Sequence, residues 1–259
     1  MITSRQNGGV REVREVLRKR PPHLFVLEGP HLVGEALSAG ICLSRALISP
    51  SADRRLADEV REQARHTLEV SEEILAYASD SQHPQGIVAV ADVPELPLDD
   101  DRAAAGRLLL LDEVRDPGNL GTILRTAWAA GVEAVLLVGP CVDPWSPKVV
   151  RSAAGASFHV PVLQLRRRGE AGVWLEAHGQ KAWRASADGR VSCFDAPLAP
   201  PITLVLGNEA HGVHPETAAF CHDSLHVPMR GGCESLNLAA TAAILCYLSL
   251  DRERRVSGA

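Results

Sequence analysis

The sequence predicts an α/β protein in two parts: a smaller α/β domain at residues 1–91, a linker at 92–106 and a parallel-sheet domain at 107–259. Three observations predict it. Leu108–Asp112 and Ala134–Val138 are continuous apolar runs, as expected of strands buried on both faces of a parallel sheet. Strand-like and helix-like stretches alternate along both halves, the pattern of a sheet with helices on its two faces. Between them, Asp92–Gly106 is rich in Pro, Asp and Ala and has no apolar period, which reads as a linker.

The first part begins with Gly8–Arg20, a basic amphipathic helix with Val10, Val13, Val16 and Leu17 on one face. His23–Glu28 is a strand, Gly29-Pro30 turns into a helix ending near Ser38, and Leu43–Ile48 is a second strand. Arg54–Arg65 is a charged surface helix, Thr67–Val70 a short strand, Glu72–Ala78 a helix and Ile87–Ala91 a strand. In the second part, helices are expected at Asn119–Ala130, Pro147–Ala154, Gly169–His178 and His214–Phe220. Further strands are expected at Ser157–Leu163, Lys181–Ala185, Thr203–Leu206 and Ser224–Val227. A last apolar helix opens at Ser235, with Leu238, Ala242, Leu245 and Ser249 at i, i+4, i+7 and i+11 and Ser235 as its N-cap. Residues beyond Asp251 are polar and expected to fray.

A hydrophobic content of 46% supports a packed core, and with aromatics at 4% that core must be Leu, Val, Ile and Ala. The net charge of −5 does not suggest a nucleic-acid binder. Clusters matter more than the sum. Arg5, Arg11, Arg14, Arg18, Lys19 and Arg20 face only Glu12 and Glu15, and Arg166–Arg168 form a second basic knot; acid gathers at Asp99–Asp101. The basic N-terminus is either a solvated helix face or an RNA contact. The six cysteines are scattered, and Cys221, His222, His226 and Cys233 fit no common zinc spacing, so no metal is expected. Met1–Gly9 is polar, and no apolar run reaches the roughly 18 residues of a membrane span. A reduced, soluble, cytoplasmic protein is expected.

Three stretches carry chemistry. In Asp112–Gly131, Asn119 sits at the start of a helix whose buried side is Leu120, Ile123, Leu124, Ala127 and Trp128, with Arg125 on the other side. In Thr203–Val213 a buried strand ends at Gly207 and Glu209 follows, where open α/β sheets bind ligands. In Val227–Tyr247 the loop Arg230–Glu234 precedes the last helix, whose free N–H groups suit an anion. No GxGxxG stands at a strand–helix junction, which argues against a dinucleotide-binding enzyme.

These three stretches, in this order, resemble the signature motifs of the SpoU (TrmH-type) RNA ribose 2′-O-methyltransferases of the SPOUT superfamily. Phe25–Gly40 and His83–Val90 resemble the ends of that family's RNA substrate-binding domain, and Ser146–Ala156 with Phe158 and Pro161 is similar to its connecting segment. The resemblance implies a parallel-sheet SPOUT domain with a deep trefoil knot and S-adenosylmethionine as cofactor. It implies cofactor contacts at Leu206, Gly207, Val227, Met229 and Leu236, and catalytic residues Asn119, Arg125, Glu209, Ser235 and Asn237. Arg125 would hold the target phosphate and stabilise developing alkoxide, with Glu209 orienting Arg125 or Asn119. Ser235 and Asn237 would fix the ribose and the loop. The family has Gly where Ala210 stands, which leaves the conformation of that loop open. A homodimer acting on ribosomal RNA is expected, with transfer RNA or a non-catalytic knotted RNA-binding protein as alternatives.

Overall fold

The computed structural model describes residues 1–81, 83–96, 98–232 and 235–257, with only the backbone of Ser257. It divides into two compact units, Met1–Glu95 with Trp145–Phe158, and Leu96–Pro144 with His159–Ala259.

In the first unit a four-stranded sheet runs in the order β1-β4-β2-β3, from β1 (Leu24–Glu28), β2 (Leu43–Ile48), β3 (Thr67–Glu69) and β4 (Ile87–Asp92). β4 is antiparallel to both neighbours and β2 is parallel to β3. Successive side chains on a strand point to opposite faces, and both faces are covered. Phe25 and Leu27, with Ile87, Ala89 and Ala91, meet α2 (Pro30–Ser38) and α3 (Arg54–Gln63). Val26, Val88 and Val90 meet α1 (Gly8–Lys19) and α4 (Glu72–Ala78). Helix starts follow capping chemistry: Asn7 Oδ1 accepts from Gly9 and Val10, Asp53 from Leu56, and Ser71 Oγ from Ile74.

The second unit holds a seven-stranded sheet in the order β7-β6-β5-β10-β8-β11-β9. Its strands are β5 (Arg107–Asp112), β6 (Ala134–Val138), β7 (Val162–Leu165), β8 (Lys181–Ala185), β9 (Val191–Ser192), β10 (Ile202–Leu206) and β11 (Asp223–His226), and every pairing is parallel. β5, β6 and β10 are buried along their whole length. One face is closed by α5 (Asp100–Ala105) and α8 (Arg168–Ala177), which bury Ala103, Ala171 and Leu175. α6 (Pro117–Ala129) and α10 (Leu238–Ser257) pack on each other, with the short α9 (Pro215–Ala219) against α8. The chain runs outward through β5, β6 and β7, then returns to the other side of β5. That reversal is a topological switch point.

Several expectations change. Residues Asp99–Asp101 belong to a helix, not to a structureless linker: Asp99 Oδ1 caps α5 by accepting from Arg102 N, and Asp100 and Asp101 sit in its first turn, where negative charge suits the dipole. Gln180 Nε2 closes the other end on the carbonyls of Ala103, Ala104 and Gly106. The strand expected at Ser157–Leu163 begins at Val162, and Ala156–Phe158 is a 3₁₀ turn. α7 (Pro147–Ala153) groups with the first unit, where Val150 and Phe158 join the cluster around Phe25. Trp128 is 44% exposed, stacked on His159 at 4.2 Å, not buried.

The last helix neither starts at Ser235 nor frays after Asp251. Asn237 is its cap, with Oδ1 accepting from Ala239 N at 2.9 Å and Ala240 N at 3.2 Å. It continues to Ser257 because its second half is anchored. Buried Arg107 donates to Ser249 Oγ at 2.6 Å, to the Ala130 carbonyl at 2.7 Å and to Glu253 Oε2 at 2.7 Å. Ser249 Oγ donates in turn to the Leu198 carbonyl at 2.6 Å. Arg107→Ala orphans buried acceptors and opens a cavity, so we expect it to destabilise the second unit by about 2–3 kcal/mol, read from the midpoint of denaturant unfolding; an unchanged midpoint would show the anchor to be idle.

Candidate active site

The site is built where β8, β10 and β11 end. A pocket of about 480 Å³ is lined by Ala185 and Ser186 at the end of β8, Leu206–Glu209 at the end of β10, Val227 and Met229 after β11, and Ser235–Leu238 with Thr241 at the start of α10.

The loop after β10 is a tight hairpin. Asn208 N donates to Gly212 O at 2.9 Å and Gly212 N to Asn208 O at 2.8 Å. A Cβ on Gly207 would lie 2.1 Å from the backbone carbon of Gly212, so only glycine fits. Gly212 takes φ +68°. Ala210 does not need a positive φ, because the reversal is made at Gly212; Ala210 N is held by Asn208 Oδ1 at 2.9 Å. Asn208 Nδ2 donates to the Glu113 carbonyl at 3.0 Å, tying the hairpin to the end of β5. There Asp112, fully buried, accepts from Arg168 Nε at 3.1 Å and His214 N at 3.0 Å, and Arg168 also holds Glu113 at 2.5 Å.

Glu209 projects from this hairpin and accepts from Asn119 Nδ2 at 2.8 Å. α6 positions Asn119: Asp116 is the N-cap, Pro117 opens the helix, and Asn119 N donates to Asp116 Oδ1 at 2.7 Å. Asn119 Oδ1 accepts from Asn237 Nδ2 at 2.9 Å, and Asn237 Oδ1 caps α10. The structure therefore pairs Glu209 with Asn119 rather than with Arg125. Arg125 stands apart. Its side chain is exposed, does not line the pocket, and makes no ion pair or hydrogen bond with another described residue.

Leu206, Gly207, Val227, Met229 and Leu236 all line the pocket together with Glu209, Ser235 and Asn237. Cys233 and Glu234 lie outside the described residues. Sequence reasoning missed Ala185, Ser186, Asn208 and Thr241. The first two follow from the rule that ligands sit beyond the carboxyl ends of parallel strands, since the sequence predicts a strand at Lys181–Ala185. Among the described residues no group of three His, Cys, Asp or Glu side chains gathers into a metal site. Burial pushes the Cys221 thiol up to about 12, so it is protonated at neutral pH.

A parallel sheet with a mixed apolar and polar pocket at the carboxyl ends of its strands defines an α/β enzyme that binds a small organic ligand there. Residues 106–247 match the SpoU rRNA Methylase family, and residues 9–89 match an MRM3-like substrate binding domain. The chain belongs to the SpoU rRNA methylase family. It is 35% identical to the 23S rRNA (guanosine(2553)-2′-O)-methyltransferase RlmP of Bacillus subtilis, over 95% of this chain and 97% of that protein. Among solved structures it is similar to the AdoMet-bound rRNA methyltransferase from Sinorhizobium meliloti, with TM-score 0.85, 30% identity and coverage of 98% and 97% of the two chains. A crystal structure of an RNA 2′-O ribose methyltransferase matches with TM-score 0.83, 32% identity and coverage of 98% and 99%.

Gly207→Ala tests the hairpin. A methyl group in that space forces the backbone apart at a cost of about 1–3 kcal/mol, so S-adenosylmethionine affinity measured by calorimetry should fall roughly tenfold to hundredfold. Unchanged affinity would mean that the hairpin does not shape the pocket.

Proposed function

We propose that this chain is an S-adenosylmethionine-dependent methyltransferase that modifies a ribose 2′-hydroxyl in ribosomal RNA, working as a homodimer in the cytoplasm. The observation that carries the reading is the pocket at the ends of β8, β10 and β11, with the three motifs joined through Asn119. The choice of ribosomal RNA follows the printed activity of the Bacillus subtilis relative. No helix among the described residues is long and apolar enough to cross a membrane. The trefoil knot of the family fold, in the segment carrying the second and third motifs, is part of this proposal.

The residues present fit the cofactor. A volume of about 480 Å³ lies within the roughly 300–1,000 Å³ range of small-molecule sites. Leu206, Gly207, Val227, Met229 and Leu236 would hold it, with apolar walls for the base and backbone groups for its polar edge. The one charged side chain among the described lining residues is the carboxylate of Glu209, which suits a ligand with positive charge on sulfur. When bound, that cofactor supplies an electrophilic methyl group.

This chain's own residues must place the 2′-hydroxyl in line and ease loss of its proton. Glu209 fixes Asn119, and Asn119 with Asn237 and Ser235 forms the polar rim against which the ribose is oriented. Arginine stays charged at any relevant pH, so Arg125 acts as an electrostatic clamp on the target phosphate and the developing alkoxide, and water carries off the proton. Arg125 does not line its own chain's pocket, which favours a dimer in which it serves the pocket of the other subunit. Trp128 and Tyr247, exposed on the mutually packed α6 and α10, support such a dimer face.

The test is transfer of labelled methyl to unmodified ribosomal RNA, followed by nuclease digestion to find a 2′-O-methylnucleoside. Arg125→Ala should lower turnover by about 10²–10³ while S-adenosylmethionine binding stays within about twofold. Co-expressing R125A with G207V as a mixed dimer should restore transfer that neither homodimer has. Full turnover by R125A would remove Arg125 from the mechanism.

A further inference from the structure

α1 buries Val10, Val13 and Val16 against the sheet of the first unit and turns its charged side outward. Arg11, Arg14 and Arg18 recur at i, i+3 and i+7, so they form one exposed stripe about 10 Å long. None of the three is in an ion pair with another described residue, although carboxylates stand close. Glu12 is held by Arg45 at 2.9 Å, Glu15 is bound to Lys19, Glu73 is bound to Arg5 at 2.8 Å and Asp80 to Arg151 at 3.2 Å. The charge left over is therefore positive. Its field is felt at Glu15, whose carboxyl lies below the usual range, first through its hydrogen bond from Lys19 and then through the charges of Lys19, Arg18 and Arg11.

One of the three guanidiniums is also pre-placed. Arg14 lies 4.9 Å from the ring centroid of Tyr77 on α4, which Arg5, already bound to Glu73, also approaches at 4.9 Å. Arg11, Arg14, Arg18, Leu17 and Tyr77, with the carboxylates of Glu15 and Asp80, each bound to its own cation, line a hollow of about 440 Å³ along the stripe. Stacking fixes a guanidinium plane and leaves its N–H edge free for an oxygen acceptor, which lowers the ordering cost of binding. A membrane surface is disfavoured because the apolar side of α1 is already spent on the core, and an interfacial helix needs that side free.

We propose that this face of α1 and α4 is a phosphate-binding surface for the RNA, gripping its backbone and reading no bases. The proposal rests on the RNA-methyltransferase reading and adds where, on the substrate-binding unit, the RNA is held.

The experiment measures the affinity of the full chain for an unmodified ribosomal RNA fragment across a series of KCl concentrations. R11Q/R14Q/R18Q should flatten the log–log salt slope by about two to three, at roughly 0.7–0.9 per lost phosphate contact, and weaken binding about tenfold or more near 0.1 M salt. The KM for RNA should rise while kcat at saturating RNA, S-adenosylmethionine affinity and the melting temperature hold. R54Q/R55Q on α3, which packs on the opposite face of the same sheet, is the control. If the triple variant melts early, Arg18→Gln alone should still remove about one unit of slope. An unchanged slope and affinity, or an equal loss per charge in the control, would overturn the proposal. A wild type that binds RNA through the stripe yet transfers no methyl would sink the enzyme reading and leave this surface standing. Transfer that is indifferent to the stripe would do the reverse, and a chain that binds no RNA would end both.

Discussion

The site depends on one line of hydrogen bonds, Glu209–Asn119–Asn237–α10. Its direction is forced from both ends. A carboxylate only accepts, so Asn119 must present its NH₂ group to Glu209. The first N–H groups of a helix only donate, so Asn237 must turn its oxygen to Ala239 and Ala240. The remaining oxygen of Asn119 and the remaining NH₂ of Asn237 then meet each other at 2.9 Å. No amide along the line can flip without losing bonds on both sides. All the links but the part-buried bond to Ala239 are exposed, and each is worth about 0.5–1.5 kcal/mol at most, so their importance is geometric. The line sets three loops, drawn from widely separated parts of the chain, in one register around the pocket.

The sheet supplies the frame that such weak links need. β5 and β10 lie side by side and are buried throughout, so the loops that follow them emerge at the same level. The loop after β10 is tightened by the contact between Gly207 and Gly212 and tied by Asn208 to the Glu113 carbonyl. α10 is held at its start by Asn237 and farther along by buried Arg107 through Ser249 and Glu253. The polar end of the helix at the pocket can therefore stay open to solvent without loosening the element that carries it.

Much of this was legible in the residues. Wholly buried strands announce themselves as apolar runs, and β5, β6 and β10 were read correctly for that reason. What failed was decided at long range or by degenerate local chemistry. Asp99–Asp101 look alike as a solvated linker and as a capped first turn. Ser235 and Asn237 are both good caps, and the choice fell to Asn237, whose NH₂ group also reaches Asn119. The polar tail after Asp251 gives no hint that a buried arginine some 140 residues earlier waits for Glu253. For Glu209 the sequence left two partners open, Arg125 and Asn119. Only folding, which brings Asn119 within 2.8 Å across 90 residues of chain, decides between them. The motifs located the pocket; the relay that organises it was beyond their reach.

The most direct test is a double-mutant cycle on S-adenosylmethionine affinity with Glu209→Ala and Asn237→Ala, two residues joined through Asn119. If the line acts as a unit, breaking it at either end releases the other, and the double variant should lose clearly less than the sum of the singles, with a coupling of about 0.5–3 kcal/mol. Strict additivity, with no coupling between the two ends, would contradict the account and reduce the line to three independent hydrogen bonds.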